Sequence, residues 1–360
     1  MTTSPFAMRE KEAGGTTAEY LGVRLPTDYG DPVREYRAVR GGAGLIDLSF
    51  RGLLELSGGE RLRWLNGQIT NDAKTLRAGE GVLAAALTAK GHILSDLAVY
   101  GLEASVWIDL NRHRAPAVQA AFECHIIADD VAVADVSDRY ARLMVAGPEA
   151  ARLLAETAGS EVAYLPAWHH REARIGGVPV RVIASPWLSL PGFELVAPAE
   201  AAGQTWRALL DSDRAAGLRP VGTTALEWLR VEAGRPWFGV DFDEQNLLLE
   251  SLARDHVSFT KGCYIGQEVV SRAEHQGHLN KRLCGLFLSG ETVPARGATI
   301  ISGDRKVGVV TSAVRSPAMG RGIALGMLRR ECWDLGTKVQ VAIDSRRLDA
   351  EVTALPFVST

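Results

Sequence analysis

The segment from residue 261 to residue 268 carries the most distinctive chemistry in this sequence, because a lone thiol stands close to a lysine. Its order is Lys261-Gly262-Cys263-Tyr264-Ile265-Gly266-Gln267-Glu268. The residues that follow, 269–273, have the apolar and charged spacing of a short helix. The positive end of a helix and a neighbouring ammonium both favour a thiolate. The pattern predicts a reactive or ligand-contacting Cys263 that is activated by Lys261. The alternative is a small buried thiol in a tight turn.

Two carboxylates lie inside segments that are otherwise typical of strands. Asp96 stands in the apolar run 92–100, and Glu194 stands between Phe193 and Leu195. A buried carboxylate needs a partner, so Asp96 either caps a neighbouring loop or contacts a ligand. Glu194 has the same two interpretations, a salt bridge at a rim or a ligand contact.

The adjacent pair His169-His170 does not predict a metal site. Neighbouring side chains on a strand point to opposite faces, and no carboxylate or cysteine follows at ligand spacing. The four cysteines are far apart in the chain, which argues against a disulfide framework and against a zinc or iron–sulfur site made by this chain alone. We therefore predict a cytoplasmic protein that holds no metal of its own.

Composition excludes several classes of protein. The formal net charge of −3 gives no reason to expect a direct nucleic-acid partner. No apolar run has the length of a membrane span, so no membrane partner is expected. A chain of 360 residues is long enough for two or three domains with sizeable cores.

The order of predicted elements gives an α+β protein. A strand, a glycine turn and an amphipathic helix follow one another at 53–65 and again at 143–154, which indicates two related lobes within 18–278. After residue 281 the sequence consists of short strand-like segments in which apolar and polar residues alternate. This pattern predicts an antiparallel β-barrel over 283–357. Residues 1–17 lack the apolar core of a secretory signal and are expected to form a flexible leader.

The eight-residue cysteine motif resembles the signature of the YgfZ family, folate-binding iron–sulfur assembly proteins related to the glycine-cleavage T-protein. Shorter matches to T-protein-like folds stand in the expected order at 29–31, 43–49, 71–72, 96–100, 191–194 and 229–234. In the last domain, 308–312 followed by 316–317 resembles the C-terminal barrel of T-proteins. The resemblance implies a T-protein-like (aminomethyltransferase) folate-binding fold with tetrahydrofolate, or a one-carbon derivative, in a central opening.

The same resemblance implies roles for individual residues. Asp96 corresponds to the carboxylate that T-proteins place near the reacting folate nitrogen, and Tyr100 to a nearby aromatic. Glu194 corresponds to the carboxylate that holds the pterin ring, a role that suits a group able to accept two hydrogen bonds. Trp187 stands about where T-proteins carry a tyrosine of the pocket, and it could stack on the ring.

Three positions depart from the T-protein pattern. Leu226 stands where T-proteins have a folate-pocket arginine, so one polar anchor is missing. Cys263 and Tyr264 replace an acidic residue and a phenylalanine. Asp96, which many YgfZ proteins have lost, is retained here.

The functional prediction from this resemblance is tetrahydrofolate-dependent support of iron–sulfur cluster assembly or repair. Its partners would be iron–sulfur proteins or assembly factors bound transiently, including cluster enzymes that modify tRNA, and Cys263 would act at the edge of the pocket. The alternative is a tetrahydrofolate-dependent aminomethyltransferase or another one-carbon transferase, in which Asp96 positions or deprotonates the folate nitrogen. A third possibility is a binding module that holds folate only as a structural ligand.

Overall fold

The computed structural model describes residues 2–212, 217–276, 279–343 and 346–358. The strands of the first half are β1 (Thr2–Thr3), β2 (Thr16–Tyr20), β3 (Val23–Asp28), β4 (Gly44–Asp47), β5 (Arg51–Ser57), β6 (Gly81–Leu87), β7 (Ile93–Gly101), β8 (Val106–Asn111), β9 (Ala132–Asp135) and β10 (Tyr140–Ala146). Those of the second half are β11 (His170–Ile175), β12 (Val178–Ala184), β13 (Gly192–Pro198), β14 (Arg219–Val221), β15 (Lys281–Leu288), β16 (Thr299–Ser302), β17 (Arg305–Ser316), β18 (Arg321–Arg329), β19 (Lys338–Ile343) and β20 (Arg346–Thr353).

The α-helices are α1 (Ala7–Glu12), α2 (Pro32–Gly41), α3 (Arg61–Gln68), α4 (Ala115–Glu123), α5 (Ala150–Ala158), α6 (Ala202–Ser212), α7 (Thr223–Glu232), α8 (Leu248–Ser251) and α9 (Gln267–Gln276). Local sequence explains where some of them begin. Asp31 caps α2, because its carboxylate accepts hydrogen bonds from the backbone N–H groups of Val33 and Arg34, and Pro32 supplies the first helical residue. None of the described helices is both long enough and apolar enough to cross a membrane.

The chain forms two compact units. The first comprises Met1–Ala86, Ser95–Leu226 and His256–Tyr264, and the second comprises Leu87–Leu94, Glu227–Asp255 and Ile265–Thr360. The first unit is built on a six-stranded sheet in the order β11-β12-β13-β10-β4-β14 and a five-stranded sheet in the order β6-β7-β8-β5-β9. A small sheet, β1-β3-β2, carries the N-terminal residues.

Alternation along the strands gives the six-stranded sheet two different faces. Leu143 on β10 and Leu195 on β13 belong to an apolar core that includes Leu153 of α5 and Trp206 of α6. The opposite face of the sheet packs on the five-stranded sheet. This inter-sheet core contains Leu53, Leu83, Ala98, Tyr100, Trp107, Val136, Ile183 and Val196. The polar residues described below stand on these two facing surfaces.

In the second unit, β15-β18-β17-β16-β19-β20 close into a barrel. Its interior is filled by small and branched side chains, among them Leu286, Ile300, Val310, Val341 and Val352. The pairing is antiparallel around the barrel. The prediction of an α+β T-protein-like fold with a C-terminal antiparallel barrel is confirmed.

The N-terminal residues differ from the predicted flexible leader. Residues 2–20 contain β1, α1 and β2. Phe6 is 1% exposed and packs on Trp206, with their ring centroids 5.7 Å apart. A single large apolar side chain in a polar segment is enough to fix it when a pocket receives that side chain.

Candidate functional site

Five charged residues meet between the two large sheets of the first unit. Arg51 lies on β5, Asp96 on β7, Asp109 on β8, Arg142 on β10 and Glu194 on β13. We call these five residues the polar cluster. Strand register explains how they share one surface, because directly paired residues of antiparallel strands point to the same face.

The register places the first three on the inner face of the five-stranded sheet. Asp109 pairs with Leu53 on β5 and with Ala98 on β7. Residues two positions away, Arg51 and Asp96, therefore point to the same side. On the six-stranded sheet, Glu194 pairs with Met144, so Arg142 points with it toward the other sheet.

Arg142 is the centre of the cluster. Its Nη2 donates to Asp109 Oδ2 at 2.5 Å and also to Glu194 Oε2. Arg51 Nε donates to Asp109 Oδ1 at 2.8 Å, and Ser185 Oγ donates to Glu194 Oε1 at 2.8 Å. The side chains of Asp109 and Glu194 are 0% exposed. These are charge-assisted contacts made out of water, so each is strong and each depends on its partner.

The charges of the polar cluster do not balance when every group is ionised, because three carboxylates face two guanidinium groups. Burial raises the pKa of Asp109, but Arg142 and Arg51 outweigh it and hold that pKa below its usual value. For Glu194, burial raises the pKa by more than the Arg142 guanidinium lowers it. Of these two buried carboxyl groups, Glu194 is therefore the one whose pKa is raised.

Several buried polar atoms at this place make no hydrogen bond to any described residue. They are Arg51 Nη1, Asp96 Oδ1, Tyr100 Oη, Arg142 Nε, and both the amide oxygen and the amide nitrogen of Asn111. Asn111 pairs directly with Arg51 across β8 and β5 and is 0% exposed. Leaving such groups unpaired costs about 1–3 kcal/mol each, so their concentration at one place points to a ligand.

The structure brings three predicted folate contacts together through Arg51. Its Nη1 lies 3.8 Å from Asp96 Oδ2, its Cζ lies 5.1 Å from the centre of the Trp187 ring, and its Nε reaches the network that holds Glu194. Trp187 is 5% exposed, and the ring face that was predicted to stack on a ligand carries this guanidinium instead. The Tyr100 phenol is also buried, and burial together with the Glu194 and Asp109 charges raises its pKa well above the usual value.

Sequence reasoning missed Arg51, Asp109, Arg142 and Asn111. A signal for two of them was present in β8, whose sequence is Val-Trp-Ile-Asp-Leu-Asn. Asp109 and Asn111 alternate there with apolar residues, although every residue of the strand is buried. Polar groups at period two in a fully buried strand indicate an internal polar site. No comparable signal marks Arg142, because its role depends on partners far away in the chain.

Lys261 performs a different task from the one predicted. Its Nζ donates to three backbone carbonyl oxygens, those of Asn66 at 2.6 Å, Ile69 at 2.8 Å and Asn71 at 2.7 Å. An ammonium has three N–H donors, so all are used. Burial lowers the pKa of Lys261 to about 8, and the three carbonyls oppose this shift because they bind the ammonium form. Lys261 therefore fixes the loop that follows α3.

None of the hydrogen bonds described above for Lys261 or for the polar cluster involves Cys263. Its side chain is exposed, and α9 does not begin until Gln267. The Lys261 ammonium, which was predicted to activate the thiol, donates to three backbone carbonyls, and a chemical role for Cys263 stays a prediction.

No metal centre is formed by the described part of the chain, which contains no group of three or more His, Cys, Asp or Glu residues suited to hold an ion. His170 is buried, and Arg181 Nη1 lies 3.0 Å from its Nδ1. Burial and the Arg181 charge lower the pKa of His170 to about 4, so the imidazole is neutral at pH 7.

Comparison with known proteins gives the class of this chain. Residues 6–261 match the GCVT N-terminal domain, and residues 281–359 match the glycine cleavage T-protein C-terminal barrel domain. The chain therefore belongs to the glycine cleavage T-protein family. That family uses tetrahydrofolate, which confirms the predicted cofactor at the level of the family.

Individual relatives are similar over nearly the whole chain. An aminomethyltransferase of Bacillus licheniformis is 30% identical over 96% of this chain and 96% of its own length. One from Streptomyces coelicolor is 32% identical over 96% of this chain and 94% of its own. The crystal structure of the glycine cleavage system aminomethyltransferase T from Bartonella henselae superposes with a TM-score of 0.90 at 23% identity, covering 99% of this chain and 98% of that one, which supports the fold.

These relatives correct the main functional prediction. Support of iron–sulfur cluster assembly, with cluster proteins as partners and tRNA-modifying enzymes downstream, is wrong, because the full-length relatives are named aminomethyltransferases. The YgfZ assignment made from residues 261–268 is not confirmed, whereas kinship to the T-protein is. Lys261 shows why the motif was misleading. Its hydrogen bonds hold a loop in shape, and a lysine is needed for that whether or not the protein takes part in iron–sulfur chemistry.

Proposed function

We propose that this chain is a tetrahydrofolate-dependent aminomethyltransferase, the one-carbon transferase that was the alternative prediction. The observation that carries the proposal is the set of buried, unpaired polar atoms on Arg51, Asp96, Tyr100 and Asn111, found in a chain whose full-length relatives are aminomethyltransferases. A protein that only needed stability would leave few such atoms unpaired.

The unpaired atoms fit a reduced pteridine. That ring system carries N–H donors and a carbonyl acceptor on its edge, and a flat face. Asp96 Oδ1 can accept from an N–H, Arg51 Nη1 can donate to an oxygen, and the Asn111 amide can do both. Tetrahydrofolate, when bound, supplies the nitrogen atoms that take up the one-carbon unit.

Asp96 is the residue of this chain that we assign to proton handling. Its side chain is 10% exposed, and one carboxylate oxygen is buried without a partner. Such an oxygen is available to orient an N–H group and to take its proton. The Arg51 guanidinium stands beside this carboxylate, with its Nη1 3.8 Å from Asp96 Oδ2.

The remaining predicted residues receive supporting roles. Arg142 and Glu194 hold the other members of the cluster in place through their hydrogen bonds to Asp109 and Ser185. Tyr100 and Trp187 close the site against water on the side of the inter-sheet core. Lys261 holds the loop at 66–71, and Cys263 takes no part in the transfer.

Asp96→Asn tests the proposal. Glycine-dependent methylene transfer to tetrahydrofolate, assayed with the other glycine cleavage proteins, should fall by about 100-fold or more in turnover, because an amide cannot accept the proton. Tetrahydrofolate binding should weaken far less. Asp138→Asn is the matched control, since Asp138 also pairs with an arginine but its side chain is 92% exposed.

Three outcomes separate the alternatives. Wild-type rates in Asp96→Asn would contradict the proton-handling role. Binding without any transfer by the wild type would leave folate as a structural ligand. No binding of tetrahydrofolate by the wild type would overturn the proposal as a whole.

A further inference from the structure

Arg51 holds a buried nitrogen that the protein does not use. Its Nε bonds Asp109 at 2.8 Å, and its guanidinium lies over the Trp187 ring at 5.1 Å. Nη1 makes no hydrogen bond to a described residue, although the side chain is only 3% exposed. Two independent contacts therefore fix the orientation of the guanidinium and leave Nη1 without a hydrogen bond to a described residue.

The unused donor stands next to an unused acceptor. Arg51 Nη1 is 3.8 Å from Asp96 Oδ2, which is beyond hydrogen-bond distance, and Asp96 Oδ1 has no hydrogen-bond partner either. A closer pairing of the two would have satisfied both groups without a ligand. Their spacing instead presents a donor and an acceptor side by side to whatever binds there.

We propose that Arg51 is a specificity-determining residue for the ring of the ligand: its Nη1 donates to the 4-oxo oxygen of the reduced pteridine while Asp96 accepts from the neighbouring ring N–H at N5. This inference rests on the proposed function. In a tetrahydropteridine the 4-oxo group and the N5–H group adjoin, so an acceptor and a donor stand side by side on one edge. That order is complementary to the order of Arg51 and Asp96.

Arg51 distinguishes 4-oxo from 4-amino pteridines by hydrogen-bond pattern, which a purely hydrophobic pocket cannot do. An analogue with a 4-amino group in place of the 4-oxo group brings N–H donors against a guanidinium that can only donate. A buried site built for one hydrogen-bond pattern rejects the opposite pattern strongly, because its own polar group is left unpaired. Arg51 is thus expected to exclude 4-amino pteridines.

Calorimetric titration under anaerobic conditions tests this with two ligands, tetrahydrofolate and its 4-amino counterpart. The wild type should prefer tetrahydrofolate by about 10- to 100-fold, the usual effect of a hydrogen bond to a charged group. In Arg51→Met the preference should fall to about threefold or less, with weaker binding of tetrahydrofolate. Arg181→Met is the matched control, because Arg181 also lies over a tryptophan, 5.3 Å from the Trp107 ring, yet lies outside the polar cluster. It should keep the wild-type preference.

The failures are distinguishable. No binding of tetrahydrofolate by the wild type overturns the proposed function, whereas equal binding of the two ligands by the wild type overturns only the role of Arg51. Full retention of the preference in Arg51→Met also overturns it. If Arg51→Met does not fold, Arg51→Lys serves instead: it keeps the charge but lacks the planar fork that presents Nε to Asp109 and Nη1 to the ligand at the same time, so it should also lose the preference.

Discussion

Arg142 links the two large sheets of the first unit, and its loss is expected to cost much of the protein's stability. Its guanidinium serves Asp109 and Glu194 at once, and all three side chains are nearly or completely inaccessible to water. A buried ion pair adds little to stability compared with an apolar core, but the loss of one member is costly because the other charges remain buried. The polar cluster is therefore a part of the fold that tolerates substitution poorly, as well as the binding surface that we propose.

Arg142→Met should lower the free energy of unfolding by about 3–5 kcal/mol, since two buried carboxylates would lose their shared counter-charge. Urea denaturation at pH 7 measures the change. Arg152→Met is the matched control: Arg152 also contacts two carboxylates, those of Glu149 and Glu156, but its side chain is 47% exposed. It should leave the unfolding midpoint nearly unchanged. Equal effects of the two substitutions would contradict the energetic role assigned to burial.

Lys261 and Cys263 give a second comparison at the scale of the residue. Lys261→Met leaves three carbonyl oxygens without their donor, so the unfolding free energy should fall by about 2–4 kcal/mol. Cys263→Ser changes an exposed side chain and should alter neither stability nor transfer rate. Urea denaturation and the methylene-transfer assay, run on both variants, decide the matter. Loss of transfer in a stable Cys263→Ser protein would restore a chemical role for the thiol.

The N-terminal element is fixed to the first unit by a pair of acids. Ser4 Oγ donates to Asp47 Oδ2 at 2.5 Å, and Ser49 donates to Asp47 Oδ1 from its backbone N–H at 2.7 Å. Glu10 of α1 is 1% exposed, and burial, followed by the charge of Asp47, raises the pKa of Glu10 to about 10. Glu10 is therefore protonated in the folded protein at pH 7 and donates a hydrogen bond to Asp47.

This raised pKa makes the docking of the element sensitive to pH. The unfolded chain releases the Glu10 proton near pH 4.5, whereas the folded chain keeps it to about pH 10. The stabilising contribution is complete below pH 4.5 and is lost as the pH rises toward 10. Glu10→Gln keeps a donor without the titration, so the variant should match the wild type at pH 4 and exceed it in unfolding free energy by several kcal/mol at pH 8.

Urea denaturation of the wild type and Glu10→Gln at pH 4, 6 and 8 measures the difference in unfolding free energy between them. Groups that titrate alike in both proteins do not contribute to this difference. Glu12→Gln, on the same helix but exposed and paired with Arg9, is the control and should show no such trend. Asp47 acts on the Glu10 pKa in the same direction as burial, Ser4 opposes both with a hydrogen bond, and the Tyr29 phenol lies close to the two acids. A difference that does not vary with pH would show that Glu10 is ionised in the folded state.

Elements were predictable from local sequence to different degrees. The strand, glycine turn and helix expected at 53–65 are found as β5 and α3, and those expected at 143–154 are found as β10 and α5. Periodicity and glycine turns are local signals, so they can be read from the sequence without knowledge of the tertiary contacts. The N-terminal element was not predictable, because what orders it is a distant pocket for Phe6 and a distant partner for Glu10. Neither of these distant partners can be recognised from the sequence around Phe6 and Glu10.

At the scale of the molecule, the order of weak motifs predicted the fold better than the strongest motif predicted the function. The matches from residue 29 to residue 317 span both units, and an ordered series is hard to obtain by chance. The eight residues at 261–268 are a single loop, and a loop can be retained for its geometry. The polar cluster escaped notice for the opposite reason: its members are separated in sequence and meet only when two sheets face each other.

A ligand that satisfies the unpaired atoms must also stabilise the folded chain by mass action. With tetrahydrofolate at 100 times its dissociation constant, the free energy of unfolding should rise by about 2.7 kcal/mol. Hydrogen exchange followed by mass spectrometry locates the effect: β7 and β8, which carry Asp96, Tyr100, Asp109 and Asn111, should exchange more slowly when ligand is added. In Arg51→Met the slowing at the same ligand concentration should be smaller, because the variant binds more weakly. Unchanged exchange in β7 and β8, with ligand shown to be bound, would place the folate away from the polar cluster and would require a different account of why its atoms are left unpaired.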